Sequence, residues 1–382
     1  MRIAHLADLH LGFRAYHRQT ERGVNQREAD IFASFREALD RIADLQVELV
    51  LMAGDIFHVP RPSNYAIVQA QRELLRFRNN CSAPIVMIAG NHESVRSTDN
   101  RCILEVLEVI PDVKAVSQKT QELTIGENVR LVCIPHNDLP QIGDYHIAPS
   151  AEFAYNLLMV HGTVDSDRIN DYGGHDVPRS LVEMAWDYVA CGHFHSFTHL
   201  GGHAYYAGAI ERTSNNIWQE AAEPKGFVEF NLATHSATFH ALSKPRPTVD
   251  LPVIDAQQLS SERLNQLILD QAEQVDITDK VVRQKIVNIP KTVQKLLDYR
   301  TIRQLQARAL HYLLDLRSPE QQALQEMGIS APQGGLAHAA REFLASYRLP
   351  AGIDREQFMQ CGVDFLSLST GDLQGDQARA LQ

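Results

Sequence analysis

Asp8 and His10, the pair Gly54-Asp55, the run Gly90-Asn91-His92-Glu93, His161, and the run Gly192-His193-Phe194-His195 are the residues whose types and spacing could do chemistry. Carboxylates, imidazoles and a carboxamide are donors that divalent cations accept. The i, i+2 spacing of Asp8/His10 and of His193/His195 puts each pair on one side of an extended chain. Two such cations about 3.5–4 Å apart can clamp a phosphate and activate a water between them. Holding two like charges that close needs a bridging carboxylate, a role that suits Asp55. Neutral imidazoles and an amide oxygen complete the set without so much negative charge that phosphate is repelled. Any one of these fragments is more often an ordinary loop. Ordinary loops do not account for all of them in chain order, each at the end of a separate apolar run.

Those runs are Arg2–Ala7, Glu48–Ala53, Pro84–Ala89, Asn156–Val160 and Asp187–Cys191, with Val129–Ile134 between the third and fourth. Apolar residues at helical spacing fill Glu28–Leu45 and Ser63–Arg78, with Ser63 as the N-cap after Pro62. Strand, helix, strand at this spacing predicts a layered α/β domain with buried strands. Ligands of such domains gather beyond the carboxyl ends of the strands, where the five polar segments can converge. This domain runs over 1–245. A second unit, 246–317, comes after Pro245 and Pro247, with strand-like Val249–Ile254, helical Ser261–Val275, extended Lys280–Ile289, helical Lys291–Ala309 and strand-like Leu310–Arg317. Residues 280–317 carry nine Lys or Arg against two Asp, a local excess of +7 (9 − 2). The remainder, 318–382, reads as a linker around Pro332-Gln333-Gly334-Gly335 and a helical tail with apolar positions near Phe343 and Phe358.

Net charge is -11, from 36 basic and 47 acidic residues, so a nucleic-acid contact must come from a local basic surface or from metal ions. The five cysteines at 81, 102, 133, 191 and 361 form no close pair and read as reduced thiols of a cytoplasmic protein. Cys191 reads as a buried strand residue rather than a ligand. No signal core or membrane-length apolar stretch is present in the sequence. His136, His175, His199 and His203 belong to no metal spacing, and His17 reads as a solvated loop residue.

The order D-x-H, G-D, G-N-H-E, H, G-H-x-H resembles the calcineurin-like metallophosphoesterase superfamily. The resemblance implies that Asp8, His10, Asp55 and His195 hold one metal, and that Asp55, Asn91, His161 and His193 hold the other. His92 is then not a ligand but lies beside the scissile phosphate and assists the leaving oxygen. Protein phosphatases of this superfamily read G-D-x-x-D-R-G; here Gly54-Asp55-Ile56-Phe57-His58-Val59-Pro60-Arg61 places His58 at the second Asp and lacks the Arg-Gly. That departure is similar to the SbcD and archaeal meiotic-recombination-eleven nucleases, as are His5-Leu6-Ala7-Asp8-Leu9-His10-Leu11-Gly12 and Gly208-Ala209-Ile210-Glu211-Arg212-Thr213. The likeness covers residues 1 to about 230 by motif and 246–317 by layout.

It implies a two-sheet β-sandwich core in four layers, flanked by helices, with a small α/β capping domain and a helical tail. It implies a DNA double-strand-break repair nuclease using two divalent ions, Mn²⁺ first, with iron or zinc also compatible with the donors. The expected activities are a 3′-to-5′ exonuclease on duplex DNA and a single-strand endonuclease, with His58 approaching the DNA phosphate. Arg283, Lys285, Lys291 and Lys295 are the expected phosphate contacts. Expected partners are DNA, a second copy through helices Ser63–Arg78 and Asn100–Ile110, and an SbcC-type ATPase bound by the tail; no membrane is expected. Two other readings share parts of the pattern. A small-molecule or cyclic-nucleotide phosphodiesterase would keep the metal set but need no basic cap. A non-catalytic scaffold would keep the fold but lose ligands.

Overall fold

The computed structural model describes residues 1–94, 101–164, 176–214 and 216–319. His175, the tail's Phe343 and Phe358, and Cys361 lie outside the described residues. In chain order the elements are β1 (Arg2–Leu6), α1 (Gln26–Asp44), β2 (Leu49–Met52), α2 (Asn64–Asn80), β3 (Ile85–Ile88), β4 (Val113–Val116), β5 (Gln121–Ile125), β6 (Val129–Ile134), β7 (Tyr155–His161) and the short pair β8 (Thr163–Val164) and β9 (Asp176–Val177). They continue with α3 (Arg179–Val182), β10 (Tyr188–Gly192), β11 (Thr198–Gly201), β12 (Ala204–Tyr206), β13 (Gly226–Asn231), β14 (Ser236–Ala241) and β15 (Thr248–Asp255). The last are α4 (Ser261–Gln274), β16 (Val281–Val287), α5 (Lys291–Gln294), α6 (Tyr299–Arg308) and β17 (His311–Leu316).

Two six-stranded mixed sheets form the sandwich, in the orders β14-β13-β1-β2-β3-β4 and β11-β12-β10-β7-β6-β5. In the first, β1 to β4 run parallel and β13 and β14 close the edge antiparallel. In the second, β6, β7, β10 and β12 run parallel, with β5 and β11 antiparallel at the two edges. The central strands are apolar on both faces because both faces are covered. Ile3, Leu49, Leu51, Val86 and Ile88 of the first sheet meet Leu131, Leu157, Met159 and Tyr188 of the second. Ala4, Leu6, Val50 and Met52 face outward onto Phe35, Leu39, Leu74 and Phe77 of α1 and α2. The second sheet's outer face packs Val132, Leu158, Val160 and Val189 under Leu181, Val182 and Trp186.

Local signals place the helices. Asn25 caps α1 by accepting from the Arg27 and Glu28 amides, and Ser63 caps α2 by accepting from Ala66 N at 3.2 Å. Two helices expected from the sequence are broken. In the described part of Asn100–Ile110 only Ile103–Leu107 coils, as a 3₁₀ turn, and Ile103, Val106, Val109 and Ile110 are β-branched, which disfavours an α-helix. Lys291–Ala309 is two helices: Leu297 turns inward, and the Asp298 amide donates to the Asn265 side chain at 2.9 Å instead of to a helical carbonyl. By its contacts the chain divides into two compact units. One is Met1–Leu251 with Gln271–Gln284 and Tyr299–Leu313; the other is Pro252–Asp270, Lys285–Asp298 and the described residues from Leu314 onward.

Candidate metal centre

Each polar segment leaves the carboxyl end of a parallel strand, and the segments are stitched together by their backbones. Asp8 N donates to Gly54 O at 3.1 Å, His10 N to Asp55 O at 2.9 Å, and Leu11 N to Ile56 O at 2.8 Å. Gly162 N donates to Gly192 O at 3.2 Å. The fully buried Glu93 joins a third loop to these, accepting from Phe57 N at 2.6 Å and Gly90 N at 2.9 Å. The approach is so close that a side chain at Gly90 would meet the Asp55 carboxylate at 2.1 Å, and one at Gly192 would meet Ala53 O at 1.8 Å. Asp8, His10, Asp55 and His193 take left-handed φ values of 52°, 47°, 51° and 108°. Non-glycine residues rarely adopt such a conformation, and such strain collects at functional sites.

All seven residues expected as ligands come together. His10 Nε2 and His195 Nε2 face each other at 3.0 Å, and His10 Nε2 lies 3.9 Å from Asp55 Oδ2. His161 Nε2 is 3.5 Å from the same Asp55 oxygen and 3.1 Å from Asn91 Oδ1, and His193 Nδ1 is 3.0 Å from that Asn91 oxygen. Donor atoms of Asp8, His10 and His195 lie within 4.8 Å of one another, as do those of Asp8, Asp55 and His161. Asp8 is common to both groups, and Asp55 Oδ2 lies within 4 Å of both His10 and His161. His161 Nδ1–H donates to Ala53 O at 2.7 Å, which turns Nε2 into the centre. His92 is arranged likewise: Nδ1–H donates to His58 O at 2.5 Å, and Nε2 lies 4.0 Å from Asp55 Oδ2 on a ring one-third exposed. The His92 amide also donates to Asp55 Oδ1 at 2.9 Å. His58 Nδ1 is 3.3 Å from His10 Nδ1, so His58 sits at the rim beside His92.

The electrostatics ask for positive charge. Burial pushes the Asp8 carboxyl up to about 7, opposed by His161. Burial opposes ionisation of Asp55 too, but His161, His10 and His92 together hold it well below the usual carboxylate range. Burial works against a charge on His161, yet Asp55 and Asp8 raise it to about 9. Burial drives His10 well below its ordinary value, and His193 and His195 down to about 3 and 4. Neutral imidazoles aimed at one another and two carboxylates sharing one cationic ring are a donor set that a divalent cation satisfies better than protons do. His193 Nε2 and His195 Nδ1 are buried without a hydrogen-bond partner. The residues present therefore fit divalent cations.

The Arg283 guanidinium is committed to Asp250 at 2.6 Å and stacks over Trp218 at 4.8 Å. Lys285 is half-buried, and Lys291 and Lys295 are exposed in the region of α5. His17 is exposed, and Cys191 is fully buried with its thiol pushed above the usual range by that burial. Other side chains also lie against these residues: Glu93, His136 (Nδ1 3.3 Å from His161 O), Glu220 (Oε1 3.9 Å from His195 Nδ1) and Lys225 (Nζ 2.8 Å from His195 O). Glu93 closes the G-N-H-E motif and was legible there. The others had no spacing signal, because they approach from remote segments.

A two-sheet sandwich with this centre at its strand ends defines a metallophosphoesterase. Residues 1–197 match the family described as Calcineurin-like phosphoesterase, and the chain belongs to that family. Its similarity extends to the DNA double-strand break repair protein Mre11 of Sulfolobus acidocaldarius, 28% identical over 199 residues that cover 51% of this chain and 50% of that protein. The Mre11 of Methanosarcina mazei is 27% identical over 239 residues, 61% of this chain and 36% of that protein. The Mre11 of Methanocaldococcus jannaschii is 25% identical over 244 residues, 60% of this chain and 63% of that protein. The chain thus spans about half the length of the curated relatives it matches.

Proposed function

We propose that the protein is a DNA repair nuclease that hydrolyses phosphodiester bonds at this centre with two divalent ions, Mn²⁺ first among them. The observation that carries the reading is the rim: His58, at the position where a protein phosphatase carries its second Asp, packs beside His92 over the donor set, and the Arg that follows in a phosphatase is missing. Asp8, His10, Asp55 and His195 would hold one ion, and Asp55, Asn91, His161 and His193 the other. The ions supply Lewis acidity toward the phosphate oxygens and a nucleophile at neutral pH. His92, its Nδ1–H anchored on the His58 carbonyl, presents Nε2 to the departing sugar oxygen and in its imidazolium form delivers the proton. The His58 ring borders the path of the phosphate backbone. Strand positioning by Glu93, and the buried Ala53 carbonyl on His161, keep the donors in place without rearrangement.

The finer reading rests on the likeness to the repair nucleases: 3′-to-5′ exonuclease action on duplex DNA and endonuclease action on single strands. Lys285, Lys291 and Lys295 contribute phosphate contacts without base readout, and residues 246–317 act as the capping domain. Two copies pair through α2, whose Tyr65, Val68 and Leu75 are 36%, 41% and 45% exposed on one helical face. An SbcC-type ATPase engages the segment 318–382.

The test is hydrolysis of end-labelled duplex and single-stranded DNA by the pure protein with Mn²⁺, beside EDTA and His92→Ala controls. Cleavage that EDTA abolishes and that His92→Ala lowers by about 10²–10⁴-fold is expected. Intact DNA together with rapid turnover of bis-p-nitrophenyl phosphate or a cyclic nucleotide would make the protein a small-molecule phosphodiesterase instead.

A further inference from the structure

Behind His195 lies a buried ion pair that takes no part in the proposed hydrolysis. His195 directs Nε2 toward His10, so its Nδ1 points away from the centre, into the protein. That nitrogen is buried and has no hydrogen-bond partner, and Glu220 Oε1 is 3.9 Å from it. Glu220 is paired through its other oxygen with Lys225, and the Lys225 side chain is 1% exposed. Lys225 Nζ also donates to His195 O at 2.8 Å, and Ala209 N donates to the same carbonyl at 3.0 Å. The loop bearing Glu220 is itself clamped. Arg212, buried, donates to the carbonyls of Glu220 at 3.0 Å, Ala221 at 3.2 Å and Glu223 at 2.7 Å.

We propose that Glu220 is the positioning carboxylate of His195, and that Lys225 holds Glu220 in that role. The inference rests on the metal-centre reading and assigns a task to the segment after Gly208, which the proposed reaction leaves unexplained. Taking a lysine and a glutamate out of water costs more than their attraction returns unless both are well hydrogen-bonded. A pair kept there, touching both the ring side and the carbonyl of one residue, does something for that residue. Histidines that ligate metals donate their second ring N–H to a carboxylate, which fixes the tautomer and makes the ligating nitrogen more basic. Among the described residues Glu220 is the carboxylate within reach of His195 Nδ1, and a small turn of the ring closes the gap. With Nδ1 carrying the proton, Nε2 is left with its lone pair toward the centre. Lys225 ties the carboxylate to the backbone of the ligand it serves.

The test is isothermal titration of the full chain with Mn²⁺ alone, so that no DNA cleavage is needed. Wild-type protein is expected to bind two ions. Glu220→Gln, which keeps shape and removes charge, should weaken one of the two by about 10–100-fold and leave the other unchanged. Glu220→Asp should recover part of the loss. Glu223→Gln removes a carboxylate from the same loop; that side chain accepts from Ser196 Oγ, a bond the amide oxygen can keep, and does not reach the His195 ring, so the variant should bind as wild type does. If Glu220→Gln does not fold by circular dichroism, Glu220→Gln/Lys225→Met leaves no unpaired buried charge and carries the same expectation. Two ions bound at wild-type affinity by Glu220→Gln would overturn this inference alone, as would equal weakening in Glu223→Gln. No Mn²⁺ bound by the wild-type protein would overturn the metal-centre reading along with it.

Discussion

The histidines divide by where their second nitrogen goes. His161 and His92 spend Nδ1–H on the carbonyls of Ala53 and His58, and each thereby aims Nε2 at Asp55. His5 is the exception: it is fully buried between the sheets, three residues before Asp8, with Nδ1 2.9 Å from the Tyr188 hydroxyl and no partner at Nε2. Burial holds it down to about 3. Because the folded value lies below the ordinary one of 6.5, the stability it contributes is present above about pH 6.5 and is lost as pH falls toward 3. In that window this one group steepens the loss by about 1.4 kcal/mol per pH unit. His5→Phe should therefore flatten the pH dependence of urea unfolding between pH 6.5 and 4, whatever it does to stability at pH 8. An unchanged slope would show that His5 takes up its proton without unfolding.

At the scale of elements, the parallel strands matter for the turn that ends each of them. β1, β2 and β3 in one sheet and β7 and β10 in the other all deliver a polar turn to the same end of the sandwich. The apolar runs reveal these strands in the sequence because central strands covered on both faces are apolar throughout. The helix expected over Asn100–Ile110 fails because apolar spacing says nothing of β-branching, and the split at Asp298 is hidden because it depends on Asn265, remote in sequence. Leu75, 45% exposed, lies on the face of α2 proposed for pairing. Leu75→Glu should convert a dimer to a monomer in light scattering while Mn²⁺ titration stays as in the wild type. A wild-type monomer at micromolar concentration would remove α2 as the pairing element.

For the whole molecule, binding at a centre built from both sheets must be felt by the stability of the sandwich. An ion that binds only the folded state at a hundred times its dissociation constant adds about 2.7 kcal/mol. For a domain of this size that is a rise in Tm of roughly 5–10 °C. Saturating Mn²⁺ should give such a rise, and EDTA should reverse it; equal melting curves with and without the ion would mean that no ion bridges the sheets. The net charge of -11 bears on the substrate. With Arg283 paired to Asp250, the local basic excess of 280–317 is smaller in effect than its count, and in the proposed function the phosphate contacts fall to Lys285, Lys291 and Lys295.

The sequence by itself determined which donors exist and at which strand ends they sit, because ligand chemistry demands particular residue types and strand ends recur with a readable apolar pattern. It also carried the likeness to repair nucleases, through His58 and the residues around it. Tertiary structure alone decided what stands behind those donors. His136, Glu220 and Lys225 reach the centre across 25, 25 and 30 residues from the groups they touch. A supporting side chain needs only to be near in space and hydrogen-bonded, so no spacing rule marks it along the chain. The fate of Arg283 was hidden for the same reason: a cation in the sequence is a count, and whether it is free for a phosphate depends on which carboxylate the fold sets beside it.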